Sequence, residues 1–356
     1  MEAGVAGPML RSPTVVNARI AGTGFYVPPR VVTNDDLAKL GIDTTSEWIV
    51  QRTGIQERRF ADEGVGTSDL AVPAARAAIE RAGLQPKDLD FIVFATLSPE
   101  MCFPGSGVLL QHKLGMCDGD APKFCGALDV RNQCSGFLYG LQVATSVVKA
   151  GVAKHVLLVG AETHSAAIDL STRGRTVSTL FGDGAGAVVV SATEEDRGVR
   201  GTWLGADGRF AETLCQRVWD IRKRPFIPVD DQGVGQVQPS HLWAQMDGRT
   251  VFKHAVEKMC LALMQACWAT NTEPKDIDLF FFHQANMRIN QYVAGQLGLP
   301  EDKVVHNIQR YGNTTAATIP ILLAEAERDG RLTPGKRIAM VSFGAGFTWG
   351  SAIADW

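Results

Sequence analysis

The chain has 356 residues, 45% of them apolar and 21% charged, a balance that excludes disordered, collagen-like and coiled-coil proteins and leaves room for two or three domains. Its formal charge of −3 supplies no field for nucleic acid or an anionic membrane, and no apolar run approaches the roughly 18 residues of a transmembrane helix. Seven cysteines, an odd number with no C-x-x-C pair, exclude a disulfide scaffold and a zinc site and suit a reduced, cytoplasmic protein.

In chain order, MEAGVAGPMLRSP lacks the basic start and continuous apolar stretch of a secretory signal, so residues 1–17 read as a flexible leader. A helical pattern over Leu70–Ala82 passes through Gly83 into a Pro-Lys-Asp turn and the apolar strand FIVFA. CGALDV reads as another strand. Cys134 then opens the helix-like run CSGFLYGLQVATSVVKAG, and HVLLVGA follows it. FGDGAGAVVV, from Phe181, is glycine-rich, but it precedes a strand instead of opening a helix after one. A dinucleotide fingerprint fails on that context, and close backbone packing is the better account. The stretch 211–246 carries Pro225, Pro228 and Pro239 and reads as a long loop or flap. A helix over Val251–Ala269, a second Pro-Lys-Asp turn and the strand LFFF come next, with His283 directly after. Asn313 begins NTTAATIPILLAEAERDG, and the strand RIAMVSFG leads into the small-residue segment SFGAGFTWGSA.

This is one design written twice. Pro86-Lys87-Asp88 and Pro274-Lys275-Asp276 each sit between a helix and an apolar strand, about half a chain apart. Cys134 and Asn313 precede Gly151 and Gly330 by the same interval, and an apolar strand follows each glycine. Strands alternating with helices predict an α/β fold with two duplicated halves, 18–195 and 196–356, the second interrupted by 211–246. The short apolar strands are expected to be buried on both faces, with Gly83, Gly151 and Gly330 as helix C-caps. A pseudo-twofold between the halves would bring matching helix starts together.

Three residues gain chemical meaning from that geometry. A lone cysteine in an apolar segment is more often core packing, but Cys134 stands at a helix start, where backbone N–H groups favour the reactive thiolate. His283 lies at the carboxyl end of a buried strand, where open α/β sheets place ligands. Asn313 taken alone is an ordinary N-cap. Together, a thiol, an imidazole and an amide suit acyl transfer to sulfur followed by oxyanion stabilisation.

RTGIQERRF, DVRNQCSGFLYGL, FGDGAGAVVV, FFHQAN, RYGNTTAATIP and FGAGFTWGSA resemble, in order, the signature segments of β-ketoacyl-acyl carrier protein synthase III, a condensing enzyme of the thiolase-fold superfamily. The resemblance implies a homodimer of five-layered αβαβα subunits working in the cytoplasm without metal or redox cofactor. Cys134 would take an acyl group from acyl-CoA, with the backbone N–H groups of Cys134 and Ala345 as its oxyanion hole. His283 and Asn313 would stabilise the enolate formed as a malonyl thioester on acyl carrier protein loses CO₂. It further implies that Trp48 and Arg173 sandwich the CoA adenine, Arg52 meets phosphate and Asn286 meets pantetheine. Phe103 would line the partner subunit's acyl pocket, and Lys253 and Arg288 would receive the carrier protein. Gly295 and Gln296 stand where relatives carry lysines, a loss that Arg222-Lys223-Arg224 could offset. The alternative is a related condensing enzyme or acyltransferase of secondary metabolism, with another donor or acceptor.

Overall fold

The computed structural model describes residues 16–356 apart from 219, 233, 236 and 238; most of the leader, through residue 15, and Trp219 lie outside the described residues. Two five-stranded sheets organise the chain. The first contains β1 (Asn17–Tyr26), β2 (Phe91–Ala95), β3 (Gly126–Val130), β4 (His155–Glu162) and β5 (Gly184–Thr193), in the order β1-β5-β4-β2-β3. The second contains β6 (Gly198–Ala206), β7 (Leu279–Phe282), β8 (Val304–Val305), β9 (Arg337–Gly344) and β10 (Thr348–Asp355), in the order β6-β10-β9-β7-β8. Adding five to each strand number of the first sheet gives the second. The pairing senses also agree: two antiparallel pairs, then two parallel ones. The duplication read from sequence is therefore a duplication of topology.

Four helices complete five layers. α2 (Gly136–Lys149) and α4 (Thr318–Arg328) lie between the sheets, where Leu138, Leu141, Ile319 and Leu322 pack with Leu158 and Phe281. α1 (Thr67–Arg81) covers the other face of the first sheet through Ala75 and Ile79 against Leu157 and Val159. α3 (Gly248–Ala269) does the same for the second sheet through Ala262 and Ala266 against Phe280 and Phe282. Consecutive residues of one strand thus enter different cores, which is why β4 and β7 read as unbroken apolar runs. The two Pro-Lys-Asp turns are single 3-10 turns capped alike: Asp88 accepts the Gln85 N–H at 2.7 Å and Asp276 accepts the Glu273 N–H at 3.2 Å. Gly83, Gly151 and Gly330 take φ of 71°, 70° and 73°, the left-handed conformation that ends a helix.

The structure corrects the sequence reading in two places. The helix starts correspond through Gln133 and Thr315, each opening a 3-10 turn with positive φ, and not through Cys134 and Asn313. α4 is shorter than α2, 11 residues against 14, and this difference made the glycine intervals coincide. Burial on both faces fails for β3, an edge strand that leaves Leu128 41% exposed. The stretch 211–246 is mainly irregular, as expected, but its neck is pinned where Leu214–Cys215 pairs with Gln245–Met246. Among the described residues no helix is long and apolar enough to cross a membrane.

The glycines of FGDGAGAVVV serve packing between the halves. A Cβ on Gly186 would lie 2.6 Å from the Ile321 backbone nitrogen, and one on Gly182 would lie 2.3 Å from the Tyr311 carbonyl oxygen. Neither neighbour is a flexible side-chain end, so the backbone itself must shift. Gly186→Ala is expected to lower stability by about 1–3 kcal/mol through overpacking, read as a lower urea midpoint at unchanged slope.

Candidate active site

Cys134 sits in the 3-10 turn Gln133–Ser135 that feeds α2. Its sulfur receives the backbone N–H groups of Cys134 itself and of Ala345, so the two donors expected of an oxyanion hole converge on the thiol. Ala345 follows β9, and its approach depends on Gly344, where a Cβ would fall 2.7 Å from the Cys134 Cβ. The Ser135 and Thr348 hydroxyls, 2.7 Å apart, tie the nucleophile turn to the start of β10.

His283 follows β7 and is anchored by its N–H to the Val341 carbonyl at 2.8 Å. Nδ1 lies 2.7 Å from the Thr318 hydroxyl, whereas the buried Nε2 has no protein partner. Thr318 also reaches the Thr315 carbonyl at 2.9 Å. Its single proton therefore links the tautomer of His283 to that contact. Asn313 accepts the Thr315 N–H on Oδ1 at 2.8 Å, which directs its amide nitrogen away from the turn.

Cys134, His283 and Asn313 open onto one cavity of about 280 Å³. Trp48, Arg52 and Asn286 also line it, and much of its wall is apolar, including Leu214 and Met246 from the pinned neck of 211–246. Burial dominates the electrostatics of this site. It pushes the His283 imidazole down to about 3 and the Cys134 thiol up to about 12, with the charge of Glu162 as the second cause for the thiol. The helix start was expected to favour a thiolate; desolvation outweighs the backbone N–H groups. The resting pair is a neutral thiol and a neutral imidazole.

The Arg52 guanidinium lies 4.4 Å from the centre of the Trp48 ring and that of Arg175 lies 4.7 Å from it. Arg173, expected beside Trp48, is instead exposed and paired with Asp169 at 2.7 Å; Arg175, two residues on, occupies the place against the ring. Asn286 caps the helix Met287–Gln296 and donates to the Arg52 carbonyl at 3.0 Å, joining the two mouth residues. Lys253 and Arg288 are exposed. Phe103 is 83% exposed in the loop before the helix Ser106–Lys113.

Two duplicated five-stranded sheets with a cysteine, a histidine and an asparagine meeting between them define a thiolase-like condensing acyltransferase. Residues 128–208 match the family described as 3-Oxoacyl-[acyl-carrier-protein (ACP)] synthase III, and residues 267–356 match its C-terminal part. The 3-oxoacyl-[acyl-carrier-protein] synthase III of Aquifex aeolicus VF5 is 39% identical, with a TM-score of 0.83 over 95% of this chain and 100% of that one. The β-ketoacyl-[acyl carrier protein] synthase III of Thermus thermophilus is 40% identical, with a TM-score of 0.84 over 95% and 99%. A priming β-ketosynthase from the R1128 polyketide pathway is 32% identical, with a TM-score of 0.84 over 98% and 99%. The chain belongs to the 3-oxoacyl-[acyl-carrier-protein] synthase III family of condensing enzymes.

Sequence reasoning passed over Glu162. It ends β4 as His283 follows β7, so the rule that singled out His283 would also have found it. The carboxyl is wholly buried and accepts from the Ser98 hydroxyl at 2.6 Å and the Leu97 N–H at 3.1 Å. Burial raises it to about 7 against those bonds. Glu162 does not border the cavity, so it acts on Cys134 through charge. Below pH 7 it is protonated and exerts no such effect; above pH 7 its charge opposes thiolate formation. Glu162→Gln should therefore speed alkylation of Cys134 by iodoacetamide at pH 8, roughly tenfold in thiolate for each unit of lowered pKa, and leave the rate at pH 6 unchanged. An equal increase at both pH values would point to altered access instead of charge.

Proposed function

We propose that this enzyme joins an acyl group from acyl-CoA to a malonyl thioester by decarboxylative Claisen condensation, initiating chain growth in fatty-acid synthesis. The observation that carries the reading is a single cavity lined both by Cys134, His283 and Asn313 and by Trp48, Arg52 and Asn286. Such a passage suits a long thioester whose polar nucleotide stays outside while its reactive carbonyl reaches the sulfur.

In the first half-reaction, the Cys134 sulfur attacks the thioester carbonyl and the C–S bond to CoA breaks. The thiol proton ends on the CoA sulfur. The N–H groups of Cys134 and Ala345, which bond the sulfur at rest, receive the carbonyl oxygen as it gains charge, and their convergence on the sulfur supports this role. In the second, the malonyl C–C bond to its carboxylate breaks, CO₂ leaves, and the enolate oxygen takes hydrogen bonds from Asn313 Nδ2 and His283 Nε2. The enolate carbon attacks the acyl-enzyme, expelling the Cys134 thiolate, which recovers a proton from solvent. The neutral imidazole can fill this role without being charged once the Thr318 hydroxyl turns its proton to Nδ1, which leaves the ring hydrogen on Nε2. Trp48, held between the approaches of Arg52 and Arg175, offers an aromatic and guanidinium surface for adenine.

The working unit in this reading is a cytoplasmic homodimer of two-half subunits, divided as 18–195 and 196–356. The exposed edge of β3 and the outward Phe103 support pairing with a second copy, whose pocket Phe103 would enter. Exposed Lys253 and Arg288 support docking of an acidic carrier protein near the mouth. The polyketide-priming relative supports a second reading, with the same chemistry on a different donor or acceptor.

Labelled acyl-CoA should acylate the wild-type enzyme and leave Cys134→Ala unlabelled; equal labelling would remove Cys134 as nucleophile. Asn313→Ala should still acylate, yet release CO₂ from malonyl thioester about 100-fold more slowly, the scale of a lost oxyanion donor. A panel of acyl-CoA donors against malonyl-carrier and malonyl-CoA, read by product mass, separates the two readings. Turnover of short acyl-CoA with malonyl-carrier supports the first, and failure with every malonyl acceptor overturns condensation.

A further inference from the structure

We propose that His164 and Thr315 are positioning residues for the decarboxylating half-reaction, a hydrogen-bonded pair across the two halves that holds both Asn313 and His283 in place. The proposal rests on the roles given above to Asn313 and His283 and names what fixes them.

Thr315 is the hub. Its N–H holds Asn313 Oδ1 at 2.8 Å, and its carbonyl accepts the Thr318 hydroxyl at 2.9 Å. That hydroxyl stands 2.7 Å from His283 Nδ1, and only when it turns its proton from the Thr315 carbonyl to Nδ1 does the ring hydrogen lie on Nε2, so the placing of Thr315 bears on both donors assigned to the enolate. Yet Thr315 has φ of 51°, a left-handed conformation that a β-branched residue does not keep unless its surroundings hold it. The sequence pattern gives no glycine or asparagine there to make it easy.

The hold comes from the opposite half. His164, two residues beyond the end of β4, places Nε2 2.5 Å from the Thr315 hydroxyl, and both residues are buried. The His164 ring is fixed in turn against Phe181, with centroids 4.5 Å apart. Burial keeps this imidazole neutral, pushed down to about 3, so the bond persists across any working pH. Glu162 takes the N–H of Ala316, the next residue, which leaves His164 as the side chain that grips the residue with the unfavourable φ. Neither His164 nor Thr315 borders the cavity that holds the triad, so their influence on substrate is exerted through Asn313 and Thr318.

The test uses the full chain and two readouts, acyl transfer to Cys134 and CO₂ release from malonyl thioester. Thr315→Ala and His164→Leu should keep acylation within about twofold while slowing CO₂ release about 10- to 100-fold, the penalty of misplaced reacting groups. Thr315→Ser and His164→Gln keep a hydrogen-bonding group in reach and should restore CO₂ release to within about threefold of wild type. Thr315→Gly relieves the backbone, so it should melt no lower than Thr315→Ala yet still release CO₂ slowly. Asn313→Ala serves as the control. If it loses CO₂ release while Thr315→Ala and His164→Leu do not, the positioning proposal falls and the role of Asn313 stands. If Asn313→Ala keeps CO₂ release, the reading of the site itself falls. Equal loss of acylation and CO₂ release in the Thr315 and His164 variants also overturns the proposal, because it marks a general structural defect.

Discussion

The site depends on two close backbone approaches between the halves. At Gly160 in β4, an added Cβ would lie 2.3 Å from the Ala316 carbonyl oxygen, so the turn that carries Thr315 can rest directly on the first sheet. At Gly344, at the end of β9, an added Cβ would meet the Cys134 Cβ at 2.7 Å, so the nucleophile turn of the first half can rest on the second sheet. Each half thus lends its helix-start turn to the other's strand end, by the same device. Topological duplication makes the exchange reciprocal, and glycine makes it close enough for chemistry.

Closeness has an electrostatic consequence. Where turns pack against strands, desolvation is the largest cause of the shifts at Cys134, His283, His164 and Glu162. A helix start is worth about 2 kcal/mol at most to a neighbouring charge. The rise of the Cys134 thiol from 9.0 to about 12 is larger than that contribution, so burial wins over the dipole. The same burial holds His283 and His164 neutral. A site of this kind does not store a reactive ion before substrate arrives. It holds oriented polar groups instead, the N–H groups of Cys134 and Ala345 on the sulfur and the Asn313 amide held by the Thr315 N–H. Their orientation needs no reorganisation when charge develops on a thioester oxygen.

Much of the frame was legible in the sequence because packing leaves periodic marks. The paired Pro-Lys-Asp turns, the apolar strands and the three C-cap glycines all stand where the pattern put them. Cys134 and His283 were legible from their positions at element ends, and Asn313, an ordinary N-cap taken alone, only through the repeat. What escaped detection has no periodic mark. The correspondence of Gln133 with Thr315 is visible only in backbone dihedrals, because a difference in helix length mimicked another alignment. The choice of Arg175 over Arg173 beside Trp48 follows from the 3-10 turn Thr172–Gly174, which sends Arg173 toward Asp169. Glu162 ends its strand much as His283 follows its own and was open to the same rule, but the reach of Glu162 and His164 into the opposite half belongs to tertiary structure alone.

The division between repeated and unrepeated chain is also a division of labour. The reactive end of the cavity is built from strand ends and helix starts of the duplicated frame, where a small displacement would separate donors from substrate. Leu214 and Met246 belong to the neck of 211–246, which has no counterpart in the first half, and they border the same cavity as apolar wall. Two paired residues on each strand fix that neck, while the chain between them is mainly irregular. Thr315, Gly160 and Gly344 all lie outside that neck, in the duplicated frame. The unrepeated neck thus supplies cavity wall, while the duplicated core supplies the residues that meet at the site.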